Sequence, residues 1–156
     1  MRIIRRNSVR GMRWIFALAL LVTGVEMTRA DLGEARAEPN LEKRSNLAMG
    51  NAMVALKEAR DAYRAGDSQT TWTKIAEVQE SVELGYDSLI RTGKDPRKSP
   101  KWFKKAEIST RDLLRSMESF EHEMSFGDRT MLKKVREQLE QIHDNLLTSL
   151  MEGKRK

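Results

Sequence analysis

The sequence predicts an all-α protein, an up-down-up-down antiparallel four-helix bundle that follows an N-terminal signal peptide. Three observations lead there. Four segments of about 20–25 residues repeat their apolar side chains at alternating steps of three and four, the spacing of one helix face. Two of the three breaks between them are very short and hold Gly beside Asp or Ser, which makes consecutive helices antiparallel neighbours. No segment shows the strict alternation of a half-buried strand.

The first thirty residues read as targeting. Arg2, Arg5, Arg6, Arg10 and Arg13 precede an apolar stretch, Trp14–Val25, and Thr28-Arg29-Ala30 gives a small-residue exit. Twelve apolar residues fall short of the ~20 a membrane-spanning helix needs. Cleavage is expected after Ala30, with Ala37 as a second site, and the chain is expected to be secreted or periplasmic. Residues 31–40, polar and containing Gly33 and Pro39, read as a flexible lead-in.

Four helices are then expected, at about 41–65, 68–92, 100–124 and 128–151. In the first, Met49, Ala52, Leu56, Ala59 and Tyr63 form the stripe, and Gly66 ends it with Asp67 or Ser68 free to cap the next. The second stripe is Trp72, Ile75, Val78, Val82, Tyr86 and Leu89. Gly85 inside it marks a close approach of a neighbouring helix. Ser99-Pro100 reads as an N-cap with proline at the first helical position, opening a stripe of Phe103, Ala106, Thr110, Leu113, Met117, Phe120 and Met124. Gly127-Asp128 supplies the last break, with Asp128 as the cap of the next helix, before Leu132, Val135, Leu139, Ile142, Leu146 and Leu150. A basic tail, 153–156, closes the chain.

The runs GKDPRKSPKWFKKAEISTRDLLR, EMSFGDR and IHDNLL resemble a group of small, secreted, uncharacterised bacterial helical-bundle proteins. That resemblance covers about residues 40–150. It implies an exported helical protein and brings no activity and no site.

Charge is unevenly distributed. The chain carries 29 basic and 23 acidic residues, a net +6. Residues 1–30 hold six of the basic residues against Glu26 alone, so the remainder is nearly neutral, and nucleic-acid binding by overall basicity is not expected. Residues 91–115 nevertheless hold nine basic residues against Asp95, Glu107 and Asp112, leaving the rest of the mature chain acidic. The anion- or partner-binding candidates are Lys94, Arg97, Lys98, Lys101, Trp102, Lys104, Lys105, Arg111 and Arg115. Lys101, Lys104 and Lys105 fall in the first turns of a helix, where the macrodipole disfavours cations and free N–H groups attract anions. The partners this chemistry suits are anionic envelope polymer, lipid headgroups or an acidic protein.

Catalysis is not expected. The chain has no cysteine and two histidines, with no G-x-S-x-G, phosphate-cradling glycine loop or His-Glu-x-x-His. Glu140-x-x-His143 has the spacing used by dimetal bundles, but no second copy accompanies it. No cofactor is expected. The alternative is haem held by Met49 or Met53 with His143, since the architecture resembles the cytochrome b562 bundles, whose ligands are a methionine on the first helix and a histidine on the fourth. Exposed Leu47, Val54 and Ile108 leave the oligomeric state open.

Overall fold

The computed structural model describes residues 32–152. The expected signal peptide and basic tail lie outside them. Five helices are present: α1 (Leu32–Ala37), α2 (Leu41–Arg64), α3 (Ser68–Arg91), α4 (Pro100–Glu123) and α5 (Thr130–Met151). The four long ones form the bundle, each about 33–36 Å long at 1.5 Å per residue. None of the described helices is long and apolar enough to cross a membrane.

The stripes account for the core. Met49, Leu56, Val78, Val82, Leu89, Phe103, Leu113, Met117, Phe120, Leu139 and Leu146 all lie within one buried cluster. Trp72 departs from the expectation. It is 48 % exposed, and its neighbour Thr71 is fully buried instead, its hydroxyl donating to the Asp67 carbonyl at 2.7 Å. A threonine can enter a crowded helix contact because its own preceding turn satisfies its hydroxyl.

Small residues let α2 and α3 pack tightly. Ala48, Ala52, Ala55 and Ala59 of α2 and Ser81, Gly85 and Ser88 of α3 are all buried. Between the two helices the buried Asn51 Nδ2 donates to Glu77 Oε1 and to Ser81 Oγ, each at 2.9 Å. Lys74 Nζ bridges Glu77 Oε2 (2.7 Å) and Glu58 Oε2 (2.8 Å) beside this pair. Such a polar group set among apolar neighbours fixes the register of the two helices, because a slip would strand it without partners.

Hairpin α2–α3 lies against hairpin α4–α5 in a specific way. Met53 meets Ser116 and Arg64 meets Glu123, so α2 and α4 are side by side and parallel. Gln138 donates to Glu83 at 2.6 Å, which joins α3 to α5 in the same sense. The α3–α4 connection, residues 92–99, therefore crosses the bundle end diagonally, and α2 and α5 stand at opposite corners.

The lead-in is helical over part of its length. Residues 32–37 form α1, with Leu32 and Ala35 buried against α2 and α3 and Arg36 Nη2 on Glu80 Oε2 at 2.9 Å. A leucine and an alanine one turn apart suffice to dock it. Asp128 also differs from its expected role. Helix α5 begins at Thr130 without a side-chain cap, and the Asp128 carboxylate accepts instead from Tyr63 Oη (3.0 Å) and Ser125 Oγ (2.7 Å). Those bonds tie the α4–α5 loop to the end of α2.

Candidate functional site

The basic corner occupies the bundle end where α3 stops and α4 begins. Gly93, at φ 63°, turns the chain out of α3 in the left-handed conformation glycine tolerates. Pro100 starts α4 at its first position. Ser99 stands where the cap belongs, yet its backbone (φ −128°, ψ 61°) puts no side-chain hydrogen bond onto the helix. By contrast Asn40 Oδ1 caps α2 through Lys43 N–H at 3.0 Å, and Asp67 Oδ1 caps α3 through Thr70 N–H at 2.9 Å. The first turn of α4 thus has free N–H groups, no acid and Lys101, with Lys98 just before it and Lys104 and Lys105 just after.

The structure divides the eight predicted cations into two sets. Four are paired with carboxylates. Lys94 Nζ reaches Glu42 at 2.8 Å, Arg97 chelates Asp95, Arg111 reaches Glu107 at 3.3 Å and Arg115 approaches Asp112 at 3.8 Å. The Arg97 guanidinium, by hydrogen bonding and charge, holds the Asp95 carboxyl below the usual carboxylate range, with Lys98 adding to the effect. Lys98, Lys101, Lys104 and Lys105 form the other set. All are exposed, and none has a carboxylate within 4 Å among the described residues.

Trp102 organises two of these lysines. The indole is half-buried at the α2–α4 crease, and Lys101 Nζ and Lys105 Nζ lie 5.0 and 5.7 Å from its ring centre. Cation–π contact of this kind is worth roughly 0.5–1 kcal/mol at exposed sites. It offsets part of the repulsion between two like charges one helical turn apart. Outward from it, Lys101, Lys104, Ile108, Arg111 and Arg115 follow one another at steps of three and four along the exposed strip of α4.

The alternative ligand set is not assembled. Met49 is buried with its side chain over Gly85 of α3. Met53 lies in the α2–α4 crease, where its Sδ accepts from Ser116 Oγ at 3.8 Å. His143 is on α5, diagonally opposite α2, with Nε2 3.2 Å from Glu107 Oε1. Antiparallel running gives Met49 and His143 similar heights, but the diagonal arrangement sets them on different neighbours. Glu140 is turned away and pairs with Arg136 at 3.3 Å. No group of three or more His, Asp or Glu able to hold a metal ion occurs among the described residues.

Sequence reasoning missed the apolar side of this corner. Ile108 is 46 % exposed, as expected, while Leu47 and Val54 are half-buried, Val54 lining the α2–α4 crease. Leu147 and Met151 of α5, beside Ile108, are exposed although Leu146 and Leu150 were the stripe positions. Two apolar residues just off a stripe were the available signal. Comparison with protein-family models, curated proteins and solved structures returned no match to this chain. What holds of the resemblance is the small all-helical character, with no family attached.

Proposed function

We propose that this is an exported, non-enzymatic helical bundle that binds an anionic envelope component through the corner formed by Lys98, Lys101, Lys104 and Lys105. A single observation carries the reading: four lysines without acidic partners gather at an uncapped helix start that would itself favour acids. Elsewhere several cations are paired with acids, as Lys74 between Glu58 and Glu77 and Arg64 on Glu123 show. The other cations without a carboxylate within 4 Å among the described residues, such as Lys57, Arg91 and Lys134, are scattered along the chain. Leaving this cluster unneutralised costs folding stability and provides a surface complementary to a polyanion.

At about 1 kcal/mol per lysine near an anionic surface, four supply about 4 kcal/mol, roughly a thousand-fold preference over a neutral surface. The test is flotation of purified protein with phosphatidylglycerol vesicles against phosphatidylcholine vesicles, at low and high salt. Binding to the anionic vesicles alone, lost at high salt, is expected. The Lys98/Lys101/Lys104/Lys105→Ala variant should lose it. Absence of low-salt binding, or binding unchanged in that variant, ends the proposal. The export part is checked separately: protein recovered from its host should have the mass of a chain beginning at Asp31.

A further inference from the structure

We propose that the outer crease between α4 and α5, beside the basic corner, is a binding groove for a single-chain amphiphile with an anionic head. The cationic end of the groove belongs to the corner, so the inference rests on the anion-binding reading and extends it to a ligand class.

The crease is an open groove of about 560 Å³, within the ~300–1,000 Å³ common for small-molecule sites. Its floor is apolar, made by Ile108 of α4 and Leu147, Leu150 and Met151 of α5. Three of these are unusually open to solvent, at 46 % for Ile108, 38 % for Leu147 and 53 % for Met151. The apolar floor is local: farther along the same crease the lining is Leu114 among the charged Arg115, Glu118, Arg136 and Glu140.

Charge gives the groove a direction. Arg97 and Lys104 line the end next to the α3–α4 connection, and Lys104 has no carboxylate within 4 Å among the described residues. Glu107 also lines the groove, but its Oε1 is held by Arg111 (3.3 Å) and His143 (3.2 Å), so it does not cancel that end. An extended hydrocarbon chain with its head at Lys104 passes Ile108 and follows α5 from Met151 back to Leu147, because α4 and α5 run antiparallel. A soluble polyanion would leave this floor wet, and a neutral apolar ligand would leave Lys104 unanswered. A ligand with both parts meets both needs.

The test uses cis-parinarate, a fluorescent polyene fatty acid, titrated into the full chain below the concentration at which it self-associates. Saturable fluorescence enhancement is expected, with the methyl ester binding about tenfold more weakly for want of its charge. An Ile108→Asn/Leu147→Asn variant changes two exposed positions, and circular dichroism checks that it keeps its helicity. It should bind parinarate about tenfold more weakly while its salt-sensitive vesicle binding through the lysines persists. No saturable binding, equal affinity for the ester, or wild-type affinity in the variant overturns the inference. If parinarate fails and the variant instead loses vesicle binding, the crease faces a bilayer, and this inference falls while the corner reading stands. If the vesicle experiment fails and parinarate behaves as expected, the groove stands without the corner.

Discussion

Met49 packs its side chain onto the bare backbone of Gly85, and this contact shows how one residue's fit governs a helix pair. A Cβ on Gly85 would lie 2.9 Å from Met49 Cε, 3.1 Å from Cγ and 3.3 Å from Sδ. Alanine gains about 1 kcal/mol of helix propensity over glycine, whereas forcing a packed core side chain aside costs about 1–3 kcal/mol. Gly85→Ala should therefore destabilise the protein by about 1 kcal/mol. In a Met49→Ala background the same change should stabilise it, since the obstructing atoms are gone. Urea midpoints of the four proteins check this, and a Gly85→Ala substitution that stabilises both backgrounds would refute the steric account. The close approach at Gly85 is legible in the sequence as a glycine within a stripe; its partner Met49 is not, because periodicity names a face without naming what faces it. Trp72 and Thr71 differ for a related reason: apolarity ranks the tryptophan first, but the narrow α2–α3 contact admits the smaller residue.

Among the elements, α4 has the cleanest stripe and, like α5, a start without a side-chain cap or an acid in its first turn. Ser99→Asp would place a carboxylate at the cap position, against free N–H groups and four lysines. Through its charge alone, because the backbone there aims no side-chain bond at the helix, it should stabilise the bundle by about 0.3–1 kcal/mol, visible as a raised melting temperature. The same variant should weaken vesicle binding. A variant that is more stable yet binds as well as the wild type would separate the uncapped start from the binding surface. Helix boundaries were readable to within one or two residues because Gly66, Asp67 and Pro100 act locally. Capping was less readable. Ser99 and Asp128 are cap residues by type, yet the connection geometry denies Ser99 its bond, and Tyr63 and Ser125 engage Asp128. The six-residue α1 was missed because a single turn and a half carries too little periodicity to separate from a polar linker.

For the molecule as a whole, acid should unfold it. Hydrogen bonds from Thr70 hold Asp67 below the usual carboxylate range, those from Gln138 and Gln79 do so for Glu83, and Arg64 does so for Glu123. Ser125 and Tyr63 act likewise on Asp128. Each depressed group takes up its proton in the unfolded chain first. The stability it contributes is thus present above the unfolded pKa, about 4, and disappears as pH falls through the folded value. Urea midpoints should be nearly flat from about pH 5 to 8 and fall below about pH 4, and Glu83→Gln should make that fall shallower. A midpoint rising on acidification would contradict these hydrogen bonds. The sequence by itself determined the four long helices, their stripes, the turns between them and the concentration of lysines, since each depends on spacing within about one turn of helix or on the chemistry of single residues. Only the tertiary structure decided that α2 stands beside α4, that Met49 and His143 sit on opposite corners, and which lysines lack acidic partners. Those outcomes depend on a diagonal crossing by residues 92–99 and on side chains far apart in the chain, such as Glu42 for Lys94. A helical repeat specifies which face is buried, and the packing of one hairpin on another specifies what that face and its margins meet.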